Sequence, residues 1–329
     1  MSLPTVASVV TGGLAAYPAL FYDRVGEESL KSNLFMYPAC ELKVMPDRSG
    51  VAMRIFNYSA FTANTTPATE GQPPSSGQNL TQNTRDITLS QYVDYVSFSD
   101  EVVLTGISDT VEEGSVELGY RGALSVDTVI STAVDTAANS DSATRIDVHD
   151  GSYMTAALSR KAAWGLRSKN VKPKDNGNFF GIIHSLSAYD MVNDTTAGGF
   201  TDLQKYSDTL AAANPALVGI KGARIGVVGG VEWFESNAVP TETNWESSAN
   251  NAYHAYVFGK NAFFASSLGK TKLNQKNFSV SVKRFDGGNS LDPAALILAA
   301  ASYNFFFGVA KRPSSINAFR RIRCESSIG

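Results

Sequence analysis

The chain has few of the residues that carry most protein chemistry. Of its 329 residues only two are cysteine, Cys40 and Cys324, and three are histidine, His149, His184 and His254. Two cysteines so far apart argue against a disulfide framework and suit a reducing compartment. The histidines share no metal-ligand spacing, and neither H-E-x-x-H nor G-x-S-x-G occurs. No catalytic, cofactor-binding or metal-ligating residue is expected, and the chain does not read as an enzyme. Gly269-Lys270-Thr271 has the end of a phosphate loop, but Phe264 stands where its leading glycine belongs. The glycines at 222, 226, 229 and 230 make no G-x-G-x-x-G and read as a turn between close strands.

Charge is modest too. Charged residues are 18% of the chain, and 28 basic against 31 acidic residues leave a formal net charge of −3. A dedicated nucleic-acid-binding module would be clearly basic, so any contact with DNA is expected to be weak and local. The first 22 residues carry no charge, but Pro4, Gly12, Gly13 and Pro18 dilute the run and no basic segment precedes it. Neither a signal peptide nor a membrane span is expected there. The sequons at Asn57, Asn64, Asn79, Asn193 and Asn277 then have no role, since glycosylation needs a secretory route. No lysine occurs between Lys43 and Lys161.

What is present is a globular composition, 43% hydrophobic, with enough chain for a large core. Its organising stretch is 87–134. Alternating strand sequence passes at Gly106-Ile107-Ser108 into a helix predicted over 109–134, about 40 Å long at roughly 1.5 Å per residue. Asp109, Glu112 and Glu113 complement the partial positive charge of its first turn. Val111, Leu118, Val126, Val129 and Ala133 line one side, extended by Val116, Ala123, Ile130 and Val134. Glu113, Glu117, Arg121, Thr128 and Asp135 face away. Gly114, Gly119 and Gly122 each cost about 1 kcal/mol against alanine inside a helix, a cost usually accepted where another backbone comes close. This is read as a spine for the subunit rather than an ordinary core helix.

Before the spine, residues 1–44 read as an apolar arm ordered against something else, often a neighbouring chain. Residues 46–98 read as one long hairpin, with 51–58 outgoing and 87–98 returning around a turn-rich tip. After the spine come a polar connector at 140–150 and a second helix over 151–169. A strand-rich region follows, with a helix near 203–213 and strands near 222–233 and 252–259. Further strands fall near 278–282 and 318–323, with an apolar stretch at 303–309 between them.

The acids Asp86, Asp94, Asp100, Glu101, Asp109, Glu112, Glu113 and Glu117 occupy 86–120 without a lysine or arginine. Basic groups gather at Lys311, Arg312, Arg320, Arg321 and Arg323, and at Arg160, Lys161, Arg167, Lys169, Lys172 and Lys174. These are either solvated faces or patches that meet between copies and set register. Arg54, Glu70, Asp100, Glu113, Glu117, Arg320, Arg321 and Arg323 are the candidate subunit-interface residues, with Arg54 and Glu70 reaching a neighbour from the hairpin.

Taken in order, several segments resemble one known family. They are Phe21-Tyr22-Asp23-Arg24-Val25, Ala68-Thr69-Glu70-Gly71-Gln72-Pro73, Asp94-Tyr95-Val96-Ser97-Phe98-Ser99-Asp100 and Ala123-Leu124-Ser125-Val126-Asp127. Further on come Gly181-Ile182-Ile183-His184, Gly230-Val231-Glu232-Trp233-Phe234-Glu235-Ser236, Val257-Phe258-Gly259-Lys260-Asn261-Ala262 and Asp292-Pro293. Together they resemble the major capsid protein of tailed bacteriophages, the Hong Kong 97-type shell fold, and more closely its phage N-four-type family. Ser185 replaces a proline usual after the histidine, and the family's glycine–tryptophan–lysine pattern is not intact near 303–308.

The resemblance implies an α+β fold with an N-terminal arm (1–44), an extended loop (45–99) and a peripheral domain on the spine helix (100–174). An axial domain (175–268) and returning peripheral strands (269–329) complete it. It implies hexamers and pentamers tiling an icosahedral shell in the virion, built in the host bacterial cytoplasm around double-stranded DNA. A portal protein and possible scaffolding and decoration proteins would be partners, with no membrane involved. The alternatives are an encapsulin-like nanocompartment shell and, remotely, a soluble hydrolase. Some relatives join subunits by a lysine–asparagine bond on the extended loop, for which this loop has no lysine.

Overall fold

The computed structural model describes residues 25–26, 28–30, 34–46, 50–59, 61–67, 69–71, 77–105, 109–148, 152–174, 177–194, 224–243, 245, 251–268, 280–284, 297–314 and 316–328. Residues 1–24, the predicted helix near 203–213, His149, Gly269-Lys270-Thr271 and Asp292-Pro293 lie outside them. In chain order the elements are β1 (Glu41–Met45), β2 (Ala52–Tyr58), β3 (Gln82–Thr88), β4 (Ser90–Ser99), α1 (Asp100–Thr105), α2 (Thr110–Asn139), β5 (Arg145–Asp147), α3 (Ala156–Arg167), β6 (Phe179–Ile183) and α4 (Ser185–Val192). There follow β7 (Arg224–Val228), β8 (Val231–Glu235), β9 (Thr241–Glu242), β10 (Ala252–Phe258), β11 (Phe263–Leu268), β12 (Val280–Arg284), β13 (Ile297–Lys311) and β14 (Phe319–Cys324).

The spine helix is α2. Asp109 caps it, its carboxylate accepting the backbone N–H groups of Val111 and Glu112 at 3.2 Å. Its buried face carries Val111, Leu118, Ala123, Val126, Ile130 and Val134, and the helix runs five residues past the expected end, to Asn139. Val116, expected on that face, is 39% exposed. The glycines do admit close neighbours: a Cβ at Gly119 would overlap the Gly26 carbonyl, and one at Gly114 the Phe98 ring. The described part of the arm therefore packs on its own spine helix, with Leu30, Leu34 and Met36 buried there. The arm was expected to be ordered against something else, often a neighbouring chain; for these residues that something is the chain's own helix. The apolar residues of 30–36 find the groove beside a glycine-lined helix.

The expected hairpin is corrected. β2 pairs antiparallel with β3, from Ala52 opposite Thr88 to Tyr58 opposite Gln82. The strand that follows, β4, leaves the hairpin and pairs antiparallel with β13 over ten positions. β13, built from the apolar 303–309 stretch and its flanks, is the seam of a five-stranded sheet that also includes β12, β11 and β1. The spine helix crosses this sheet on β13, β4 and β12.

A second sheet runs β5-β14-β10-β6-β8-β7, with β9 on β10. Its strands β6 and β10 are buried on both faces, which explains why their sequence is apolar except at His254. Phe180, Ile182, Tyr256 and Phe258 point into the core shared with the spine helix. Phe179, Ile183, Ala255 and Val257 point into a second core beneath α3. The expected glycine turn is real: Gly229 and Gly230 have φ of 62° and 88° between β7 and β8. The last strand, β14, belongs to this sheet and not to the one under the spine helix. Its partner β5 lies in what read as a polar connector. Helices α1 and α4 and strand β11 were not expected from the sequence, and α3 begins at Ala156 rather than near 151.

Candidate interaction surfaces

The hairpin has a buried root and an exposed blade. Ile55 and Ile87 join Phe264 and Ala310 in a small core at its base. Beyond them Phe56, Tyr58, Phe61 and Leu80 are all more than half exposed. A two-stranded ribbon has no third strand or facing layer to cover such residues. Arg54 is spent within the hairpin, its Nε and Nη2 donating to the Asp86 carboxylate at 2.7 and 2.9 Å. That pairing holds Asp86 below the usual carboxylate range, through the hydrogen bond and the guanidinium charge. Arg54 is thus a cross-strand partner within the hairpin, with its side chain still 64% exposed. Glu70 is exposed in the turn at the tip.

The acidic stretch lies across β3, β4, α1 and the start of α2. Asp94 pairs with Arg121 on the spine helix at 2.9 Å. Asp100, the first residue of α1, accepts the backbone N–H of Glu101 at 2.8 Å, while Glu101, Glu113 and Glu117 are exposed. Beside them Val102 is 47% and Leu104 77% exposed.

The basic C-terminal residues are elsewhere. Arg320 is buried and donates to the Gly165 carbonyl at 2.9 Å. Arg321 is fully buried, with Nη1 3.2 Å from Asp135 Oδ1. Arg323 bridges Asp147 at 2.9 Å and Glu242 at 2.8 Å, its guanidinium over the Trp245 ring. These three are corrected from surface candidates to interior ones. Alternation along β14 does not put them in water because the sheet is covered on both faces. The Asp135 carboxylate is the hub: it takes the Tyr256 hydroxyl at 3.0 Å and lies 3.3 Å from His254 Nδ1. Burial pushes its pKa up, but His254, Tyr256 and Arg321 outweigh this and hold it low. His254 is buried, 1% exposed. His184 caps α4, its Nδ1 accepting from Leu186 at 3.2 Å. Among the described residues no cluster of His, Cys, Asp and Glu could hold a metal ion.

Among the buried carboxylates that the sequence did not reveal is Asp127. Asp127 accepts the backbone N–H groups of Phe35 at 2.8 Å and Met36 at 3.1 Å, latching the arm to the spine helix. Burial raises its pKa to about 7, against the lowering effect of those N–H groups. The signal was available: 127 shares the helix face of 123, 126, 130 and 134.

No protein-family model and no curated protein matches the chain. Solved structures do. The capsid of Ralstonia phage GP4 matches with a TM-score of 0.70 at 12% identity, over 91% of each chain. The capsid asymmetric unit of cyanophage Pam1 matches with a TM-score of 0.61 at 11% identity, over 91% of this chain and 92% of that one. The capsid of cyanophage P-SCSP1u gives 0.59 at 14% identity, over 88% and 87%. The α+β architecture is therefore the Hong Kong 97-type fold of phage capsid subunits, as the sequence led us to expect.

Proposed function

We propose that this chain is the major capsid protein of a tailed bacteriophage. It assembles with itself as hexamers and pentamers into an icosahedral shell around double-stranded DNA. What carries the reading is a capsid-subunit fold over about nine-tenths of the chain, with a ribbon whose aromatic side chains find no cover at home. Surface of that kind is stabilised when sister subunits bury it, so stability resides in the lattice. In this reading the β2–β3 hairpin is the extended loop, the spine helix carries the peripheral domain and the β7–β8 region belongs to the axial domain. The shell is the wall of the virion and forms in the bacterial cytoplasm. A portal protein, and scaffolding or decoration proteins where used, are its other partners. DNA is held by weak, sequence-independent contact, consistent with the near-neutral charge.

Electron microscopy of the expressed protein tests this directly. Closed particles are expected; a small soluble oligomer by native mass measurement would refute the reading. In particles from infected cells, DNA and a portal vertex are expected, whereas an enclosed enzyme would indicate a nanocompartment.

A further inference from the structure

A groove of about 540 Å³ opens beside the hairpin, between the turn after α3, the β10–β11 turn and the segment after β13. Lys169, Lys172, Lys260 and Arg312 line it, and among the described residues no carboxylate does. Residues from four separate parts of the chain are drawn together here. The backbone N–H of Lys260 donates to the Lys172 carbonyl at 2.9 Å, setting those two lysines side by side. Arg312 is oriented by Asn57 of the hairpin, its Nη2 3.0 Å from the amide oxygen. Asn170 and Asn261, in the two turns, hold left-handed backbone with φ of 55° and 58°. Among the described residues none of the four cations has a carboxylate in ion-pair reach. Four like charges held around one cavity repel, and a partner of opposite charge relieves that repulsion. The walls also present apolar surface: Tyr58 is 55% and Ile316 46% exposed.

The same chain carries the complement. Helix α1 exposes Glu101 beside Val102 and Leu104, in a stretch with eight acids and no basic residue. We infer that the groove receives α1 of a second copy, with its acidic side chains against the cations and Leu104 against Ile316 and Tyr58. The inference rests on the self-assembly reading and names one of its contacts. A phosphate backbone would satisfy the cations but leave the exposed apolar walls and Leu104 uncovered, so the protein occupant is favoured. Charge contacts of this kind fix register and partner choice more than they add affinity.

Charge exchange tests it, with wild-type particles as the reference in every arm. Lys172→Glu with Lys260→Glu should cut the yield of closed particles at least tenfold by sedimentation, while subunit circular dichroism stays native. Glu101→Lys alone should do the same, and combining it with Lys260→Glu should restore a large part of the yield. If the lysine variants do not fold, Lys172→Gln with Lys260→Gln provides the milder comparison and should lower the yield in the same direction. Normal yields from the lysine variants, or loss without rescue by Glu101→Lys, would overturn the inference. So would lysine variants that assemble normally but bind a double-stranded DNA oligonucleotide less well, which would assign the groove to nucleic acid. Absence of particles from the wild type would instead overturn the self-assembly reading itself.

Discussion

The backbone carbonyl of Gly26 occupies the space that a Cβ at Gly119 would need. The contact joins the arm to the middle of the spine helix and is repeated a turn away, where Ser29 Oγ donates to the Val116 carbonyl at 2.8 Å. On helix propensity alone Gly119→Ala would stabilise by about 1 kcal/mol. Overlap with a backbone atom cannot be relieved by a rotamer change, so the arm must shift. Overpacking of this kind costs about 1–3 kcal/mol. We expect Gly119→Ala to lower the unfolding free energy of the subunit in urea. A rise would show that the arm is free to move off the helix.

Asp127 makes the same junction depend on pH. Its pKa is about 7 when folded, where burial outweighs its N–H partners, and 3.8 when not. The folded state therefore holds this proton more tightly, and the stability it contributes is present at low pH and lost as pH rises from about 4 through about 7. The slope is at most about 1.4 kcal/mol per pH unit. Asp127→Asn removes it while keeping one acceptor for Phe35 or Met36. The stability of the asparagine variant relative to wild type should rise between pH 5 and pH 8 in parallel urea titrations. A difference that does not change with pH would show that Asp127 keeps an ordinary pKa.

Much of this frame could be read from the sequence because period and capping are local signals. The spine helix, its Asp109 cap and the meaning of its glycines all follow from residues within a few turns of each other. The hairpin was misread because alternation through Thr88, Leu89 and Ser90 continues across the point where the strand changes partner. Alternation tells which face a residue takes but not what lies alongside. Helix α4 is too short to show a period. Arg320, Arg321 and Arg323 looked like a surface patch because their partners, Gly165, Asp135, Asp147 and Glu242, lie far away in sequence. The groove cations were hidden for the same reason, since Lys172, Lys260 and Arg312 meet only after both sheets form.

Asp135 and Arg321 should behave as a unit. Removing one partner of a buried ion pair leaves the other charge unsolvated, which costs about 3–5 kcal/mol. Asp135→Asn would do this to Arg321 while also weakening the acceptor for Tyr256. Because the Asp135 pKa is held below its ordinary value, the stability it contributes is present above the carboxylate range and lost as pH falls through it. The cost of Asp135→Asn should therefore be largest near neutral pH and shrink in acid. A constant small cost across that range would mean that the buried guanidinium finds its counter-charge elsewhere.

The proposed shell should be free of covalent links between subunits. The hairpin has no lysine to supply an amine, and Cys40 and Cys324 are both buried, which pushes their thiols up to about 12 and disfavours the reactive thiolate. Purified particles, boiled in detergent without reductant, should run as a single monomer band. A ladder would contradict this, and its response to added reductant would identify whether thiols are responsible.

The hairpin should separate stability from assembly. Ile55 and Ile87 are buried at its root, so Ile55→Ala is expected to cost about 2–5 kcal/mol of subunit stability. Phe56 and Phe61 are 56% and 59% exposed on its blade, and surface changes of this kind usually move stability by no more than about 0.5 kcal/mol. Phe56→Ser with Phe61→Ser should therefore leave the urea midpoint of the subunit unchanged. Their apolar area is removed from water only when a sister subunit lies over it, so particle yield at fixed concentration should fall. If yield holds while both side chains are polar, the blade is not a covered surface in the shell, and the subunits cohere through the spine helix and sheets instead.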